Sequence, residues 1–193
     1  MSTDYSEDRL IQKSAAELME TELGWTSIYA YDKEVLGENG TFGRNSFHEV
    51  LLTQRFRLAL KKLNPWINDK QIAEAIERMT ERMSSQTLMQ INEQKYQFIR
   101  DGIPVTRIKP DGTSEEIKAV VIDFENIDNN DFLCVRELWV YGALYRRRAD
   151  IVGFVNGIPL LFVELKNHNV EVENAFNENY RDYLDTIPQL FYH

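Results

Sequence analysis

The chain has 193 residues, 43% of them hydrophobic, and carries 22 Lys and Arg against 31 Asp and Glu, a formal charge of −9. This length can bury the sizeable core of one domain, and no G-x-x-x-x-G-K-[ST] phosphate loop occurs in it, so nucleotide hydrolysis of that kind is not expected from this stretch. A single cysteine, Cys134, excludes an intramolecular disulfide; no segment approaches the ~20 apolar residues of a membrane span, and no signal-peptide pattern opens the chain, so a cytoplasmic location is expected.

In chain order, Ser6 predicts the cap of a first helix with Glu7 and Asp8 in its opening turn. Leu10, Ile11, Ala15, Leu18 and Met19 make its apolar face, and Gly24 ends it. Trp25, Ile28 and Tyr29 read as extended or irregular, and residues 37 to 43 as a loop. A second helix is predicted from about Ser46 to Leu63, with Val50, Leu51, Phe56, Leu58 and Leu60 in the core, stopping before Asn64-Pro65. Its Arg55, Arg57, Lys61 and Lys62 fit a solvated face better than a DNA-backbone contact. A third helix, capped near Asn68 or Asp69, carries Ile72, Ile76, Met79 and Met83 at helical spacing, the methionines as core.

From Glu93 to Arg107 the pattern is mixed. Gly102-Ile103-Pro104 breaks it, Val105 to Ile108 reads as a strand, Pro110-Asp111-Gly112 as a turn and Ile117 to Phe124 as the partner strand. Phe132 to Val140 makes the next strand. Asn174 to Leu184 reads as a closing helix with Ala175, Phe176, Tyr180 and Tyr183 facing inward, followed by an apolar IPQLF run that reads as a strand or its start. Ending there, the chain reads as a piece of a longer subunit. This order argues an α/β fold with a mixed central sheet flanked by helices. It reads as one domain over residues 1–193, with a helical part at about 46–90 and a catalytic sheet core at about 103–193.

The segment RRRADIVGFVNGIPLLFVELKN, Arg146 to Asn167, carries the chemistry. Two β-branched and aromatic runs flank Asn156-Gly157, a β-hairpin signal. Strand alternation puts Glu164 and Lys166 on one face and Leu165 on the other. A two-residue turn would pair Asp150 with Val163 and leave Glu164 on the opposite face. A three-residue loop over residues 155 to 157, with Gly157 left-handed, or another bulged connection restores the match.

Two carboxylates and a lysine so placed suit phosphodiester hydrolysis, which needs a nucleophilic water and neutralisation of charge on the phosphate. Mg²⁺ held by hard oxygens supplies both, and Mn²⁺ is expected to substitute. Asp150, Glu164 and the Leu165 carbonyl are the candidate ligands, and Lys166 the group that orients or deprotonates the water. With three histidines, His48, His168 and His193, and one cysteine, the ligand supply argues against zinc.

The order Asp, apolar strand, Glu-x-Lys resembles the PD-(D/E)XK nuclease pattern. The stretches GRNSFHEVLLTQRFRLALKKLN, IDFENIDNNDFLCVRELWV, RRRADIVGFVNGIPLLFVELKN and AFNENYRDYLDTIPQLF together resemble the amino-terminal region of the restriction (R) subunit of type I restriction enzymes. The resemblance implies a magnesium-dependent endonuclease domain that cuts unmodified double-stranded DNA, with Asp150, Glu164 and Lys166 as the catalytic set. It implies modification and specificity subunits as partners, no membrane, and ATP used only by a motor in the full-length subunit. The family's Gln-x-x-x-Tyr element falls on Asn179 to Tyr183; Tyr183 matches and Asn179 departs. Glu7 in the opening helix is a further acidic candidate. The same residues also fit a nuclease of another DNA-processing or repair system, or a non-catalytic module packed on the motor.

Net charge opposes autonomous DNA binding: residues 111 to 193 hold 7 basic and 15 acidic side chains, against 15 and 16 in residues 1 to 110. Arg146, Arg147 and Arg148 are a local positive run, as apt for a solvated strand flank as for phosphate contact or support of the site. DNA is expected to be delivered by other parts of a complex.

Overall fold

The computed structural model describes residues 7–81, 85–165, 173, 176 and 180–193, without the side chains of residues 7–10. In chain order the elements are α1 (Glu7–Leu23), β1 (Thr26–Tyr29), α2 (Thr53–Leu63), α3 (Asp69–Thr80), α4 (Leu88–Asp101), β2 (Ile103–Ile108), β3 (Ser114–Ala119), β4 (Phe132–Tyr141), β5 (Arg146–Val155), β6 (Ile158–Val163) and α5 (Arg181–Thr186), with short 3-10 turns at Ile127–Asn129 and Pro188–Phe191. The central sheet has the order β1-β4-β5-β6, with β1 parallel to β4 and the other pairs antiparallel. The expected mixed α/β architecture is present.

Each face of this sheet is covered. Leu133, Val135, Val152 and Phe154 bury one face against Phe42, Leu52, Tyr183 and Leu190. Cys134 and Ile151 bury the other against Ala16 of α1, with Met19, Trp25, Val163 and Leu165 packed around them. A second core joins α2 and α3 to β2 and β3 and reaches the hairpin through Ile158. β2 and β3 form a separate two-stranded sheet, so the residues around 103–119 are not part of the sheet that carries Asp150.

Several local expectations are corrected. The second helix begins at Thr53 and not near Ser46, because the preceding backbone bonds elsewhere: Tyr141 N–H donates to Phe47 O, Arg44 Nη1 to Glu49 O, and Leu52 N–H to Gly157 O. The mixed segment before Gly102 is a regular helix, α4, started by a reciprocal Thr87/Gln90 capping box. On α1 the buried stripe is Gln12 and Ala16, with Ala15 and Met19 beside it, while Ile11 and Leu18 are exposed. Leu58 and Phe176, expected in the core, are also exposed. The apolar IPQLF run is a 3-10 turn opened by Pro188, tied back by Gln189 Nε2 donating to Tyr141 O. Met83, His168 and Ala175 lie outside the described residues.

Candidate active site at the β5–β6 hairpin

Asn156 and Gly157 form a two-residue turn with φ of 53° and 82°, closing the pair Val155↔Ile158. Both positive values match the primed turn that suits the twist of a hairpin. Asn156 tolerates this conformation because its side chain is fully engaged: Nδ2 donates to Val121 O and to Asn130 Oδ1, each at 2.8 Å, and Oδ1 accepts from Asp131 N–H at 2.7 Å. A side chain on Gly157 would meet Leu52 O at 2.6 Å, so this turn is seated on the start of α2.

The expected three-residue loop is therefore absent, yet the face match it was meant to restore is achieved. The ladder runs Phe154↔Pro159 and then Gly153↔Leu161, skipping Leu160 as a bulge. Beyond it Ile151 pairs with Val163, so the same register sets Asp150 opposite Glu164. Gly153 is required at the bulge, where a Cβ would meet Trp25 Cζ3 and Leu161 Cβ at 2.9 Å.

A second irregularity sits across from Asp150 on β4. Leu133 and Val135 share a core with Leu138 and Val140, so the inside–outside alternation slips by one residue at Glu137. Glu137 has φ 59° and makes no ladder pair, although Arg136↔Ile151 and Leu138↔Ala149 flank it. A non-glycine held there costs about 1 to 3 kcal/mol, a strain characteristic of functional sites.

Asp150 is held from two sides: Oδ1 accepts from Gln12 Nε2 of α1 at 3.1 Å, and Oδ2 accepts from Leu165 N–H at 2.8 Å. Leu165 thus enters the site through its N–H, and its carbonyl remains an expected ligand only. Tyr183 of α5 is buried, and its hydroxyl donates to Arg148 O at 2.9 Å. Burial first, then the negative charges of Glu164 and Asp150, hold its phenol well above the ordinary range, so it stays protonated beside both carboxylates.

The arginine run divides its roles. Arg147 pairs with Asp182 of α5 through Nε at 2.5 Å and Nη2 at 2.8 Å, which holds the Asp182 carboxyl below its usual range and fixes α5, with Tyr183, against β5. Arg148 pairs with Glu137 at 2.5 Å and lies over the Tyr31 ring, while Arg146 lies over Trp139. On α2, Arg55 is bound to Asp131, Lys62 to the Asn129 carbonyl and Lys61 to Asp69, so these charges tie the chain to itself.

Lys166 and Asn179 lie outside the described residues, and Glu7 opens α1 without a described side chain. Among the described residues no group of three His, Cys, Asp or Glu side chains is gathered, so Asp150 and Glu164 are a lean donor set. A cavity of about 710 Å³ lies between the loop ahead of β5 and the chain end, and neither these carboxylates nor Gln12 or Tyr183 lines it. Gln12 was missed by the sequence reading; its spacing from Ala16 and Met19, four and seven residues on along a helix, is the signal that places it on the buried stripe. Among the described residues, no helix is long and apolar enough to cross a membrane.

The family described as "Type I restriction enzyme R protein N terminus" matches residues 4–192. The HindI type I restriction enzyme endonuclease subunit of Haemophilus influenzae is 32% identical over 174 residues, covering 88% of this chain and 16% of that protein. A Methanocaldococcus jannaschii chain, provisionally named the MjaIXP type I restriction enzyme endonuclease subunit, is 28% identical over 191 residues, covering 96% of this chain and 18% of its own length. The chain thus spans less than a fifth of these relatives. With a family match running over nearly its whole length, the chain belongs to the type I restriction enzyme R protein N-terminal family.

Proposed function

We propose that the chain is a divalent-metal-dependent endonuclease domain of the PD-(D/E)XK kind, which hydrolyses phosphodiester bonds of unmodified DNA within a type I restriction complex. The observation that carries this reading is the bulge at Leu160, which sets Glu164 opposite Asp150 while Leu165 N–H holds Asp150. A bulge that re-aims one side chain at the end of a buried sheet costs ladder bonds, and the gain is two carboxylates on one spot.

The residues fit the group. Mg²⁺ prefers hard oxygens and few protein ligands, leaving positions for water and substrate phosphate, and Asp150 and Glu164 supply such oxygens. Bound there, the ion would lower the pKa of a water and neutralise charge on the phosphate. Lys166, two residues beyond Glu164 in sequence, supplies a positive charge and a proton-transfer group for the attacking water. Tyr183, kept neutral, adds a hydroxyl beside Glu164 without adding charge. Arg147 and Asp182 keep α5 in place, Arg148 is held by Glu137 across the ladder from Asp150, and Arg146 offers positive charge on the strand that leads to Asp150. Double-stranded DNA would reach the site through the modification and specificity subunits and an ATP-dependent motor elsewhere in the full-length subunit, in the cytoplasm.

The test uses Lys166→Ala and Asp150→Ala in the assembled enzyme. Both are expected to abolish cleavage while ATP hydrolysis and translocation persist. Cleavage at the normal rate with either change would leave a domain that packs on the motor without cutting.

A further inference from the structure

We infer that Gln12 of α1 is part of the cation site: its amide nitrogen positions Asp150, and its carbonyl oxygen is a third oxygen donor to the divalent ion. This rests on the metal-dependent reading above and goes beyond it by adding an uncharged side chain from outside the hairpin.

Three observations converge on it. Gln12 is only 3% exposed, in the middle of a helix whose neighbouring buried residues are apolar. Its Nε2 donates to Asp150 Oδ1 at 3.1 Å, which fixes the amide orientation, because the flipped rotamer would set its carbonyl oxygen against a carboxylate. Its Oε1 is then fully buried and accepts from nothing among the described residues. A buried carbonyl without a donor costs about 1 to 3 kcal/mol, and such a group calls for a partner that the protein alone does not provide.

The geometry names that partner. Oε1 shares a carbon atom with Nε2, so the unpartnered oxygen belongs to the same amide that already touches the Asp150 carboxylate. Amide oxygens are ordinary ligands for hard cations. A third oxygen from Gln12 would still leave positions in the shell for water and substrate phosphate. α1 therefore couples the opening of the chain to the hairpin, and an ion would bridge them.

The experiment is calorimetric titration of the 193-residue chain with Mn²⁺, together with its melting temperature in EDTA, for Gln12→Met, Gln12→Glu and Glu164→Gln. Gln12→Met keeps the length and loses the oxygen; it is expected to bind Mn²⁺ about tenfold more weakly, with a melting temperature in EDTA no lower than that of the parent chain. Gln12→Glu keeps an oxygen at the same place and is expected to bind at least as tightly as the parent chain. Should Gln12→Met lose stability in EDTA yet bind Mn²⁺ normally, or Gln12→Glu weaken binding as much as the methionine does, the residue is structural and the inference is overturned. Glu164→Gln separates the two proposals. Weakened binding there with unchanged binding in both Gln12 variants sinks only this one, whereas unchanged binding in all three sinks the metal-dependent reading as well.

Discussion

Continued one residue past the Ile151↔Val163 pair, the register of β5 and β6 sets Asp150 opposite Glu164, because Leu160 is left unpaired in the ladder. The carboxylate pair is thus a product of register, not of turn length, and register can be changed without touching either acid. Inserting one alanine between Val163 and Glu164 should set the new residue opposite Asp150 and send Glu164 to the other face. A chain that keeps its far-ultraviolet dichroism but loses Mn²⁺ affinity by about tenfold or more is the expected result. Unaltered affinity would mean that the two carboxylates do not act together.

Tyr183→Phe removes the hydroxyl that donates to Arg148 O. Loss of one part-buried hydrogen bond should lower unfolding free energy by about 1 kcal/mol. Because this hydroxyl also stands beside Glu164, cleavage by the assembled enzyme should fall by about tenfold with ATP hydrolysis unchanged. Single-turnover cleavage assays read this directly, and a full rate would confine Tyr183 to holding α5.

Asn156→Ala leaves Val121 O and Asp131 N–H without their partner and puts a Cβ-bearing residue at φ 53° with nothing to hold it there. The expected cost is about 2 to 4 kcal/mol by urea denaturation. Asn156→Gly loses the same bonds but not the backbone tolerance, so it should be less damaging by about 1 kcal/mol. Equal losses would show that the turn conformation carries no penalty of its own.

Lys95 is almost wholly buried, and its ammonium is taken up by the carbonyls of Arg78 and Glu81 at the end of α3. Burial pushes its pKa down from 10.5 to about 8. Between those two values the unfolded chain holds a proton that the folded chain has released, so stability should rise with pH across this window. Urea midpoints measured across it should climb in the parent chain and climb less in Lys95→Met. Identical slopes would remove Lys95 as the cause.

The hairpin and its acids were legible in the sequence because β-branched runs around Asn156-Gly157 are a local signal. The bulge was legible only as a requirement. Its position depends on Gly153 lying against Trp25, a contact made by tertiary packing. Gln12 escaped for a related reason: Leu10, Ile11 and Leu18 suggested an apolar face, whereas the docking of α1 on Cys134 and Ile151 selected a stripe of small residues and one amide. The early start assigned to α2 failed because residues 46 to 52 have good helical composition but spend their backbone bonds on the sheet and the hairpin turn. The basic residues of α2 could be read as solvated or as DNA-facing, and neither anticipates that Arg55 binds Asp131 beneath the hairpin.

Cys134, sealed between the sheet and α1 with its thiol pushed up by burial, has a practical corollary. A thiol-reactive dye can label this chain at one atom only, and that atom is reached when the amino-terminal helix lifts away. Labelling kinetics therefore clock the excursion that would separate Gln12 from Asp150, and slower labelling on adding Mn²⁺ would report an ion clamping that helix shut.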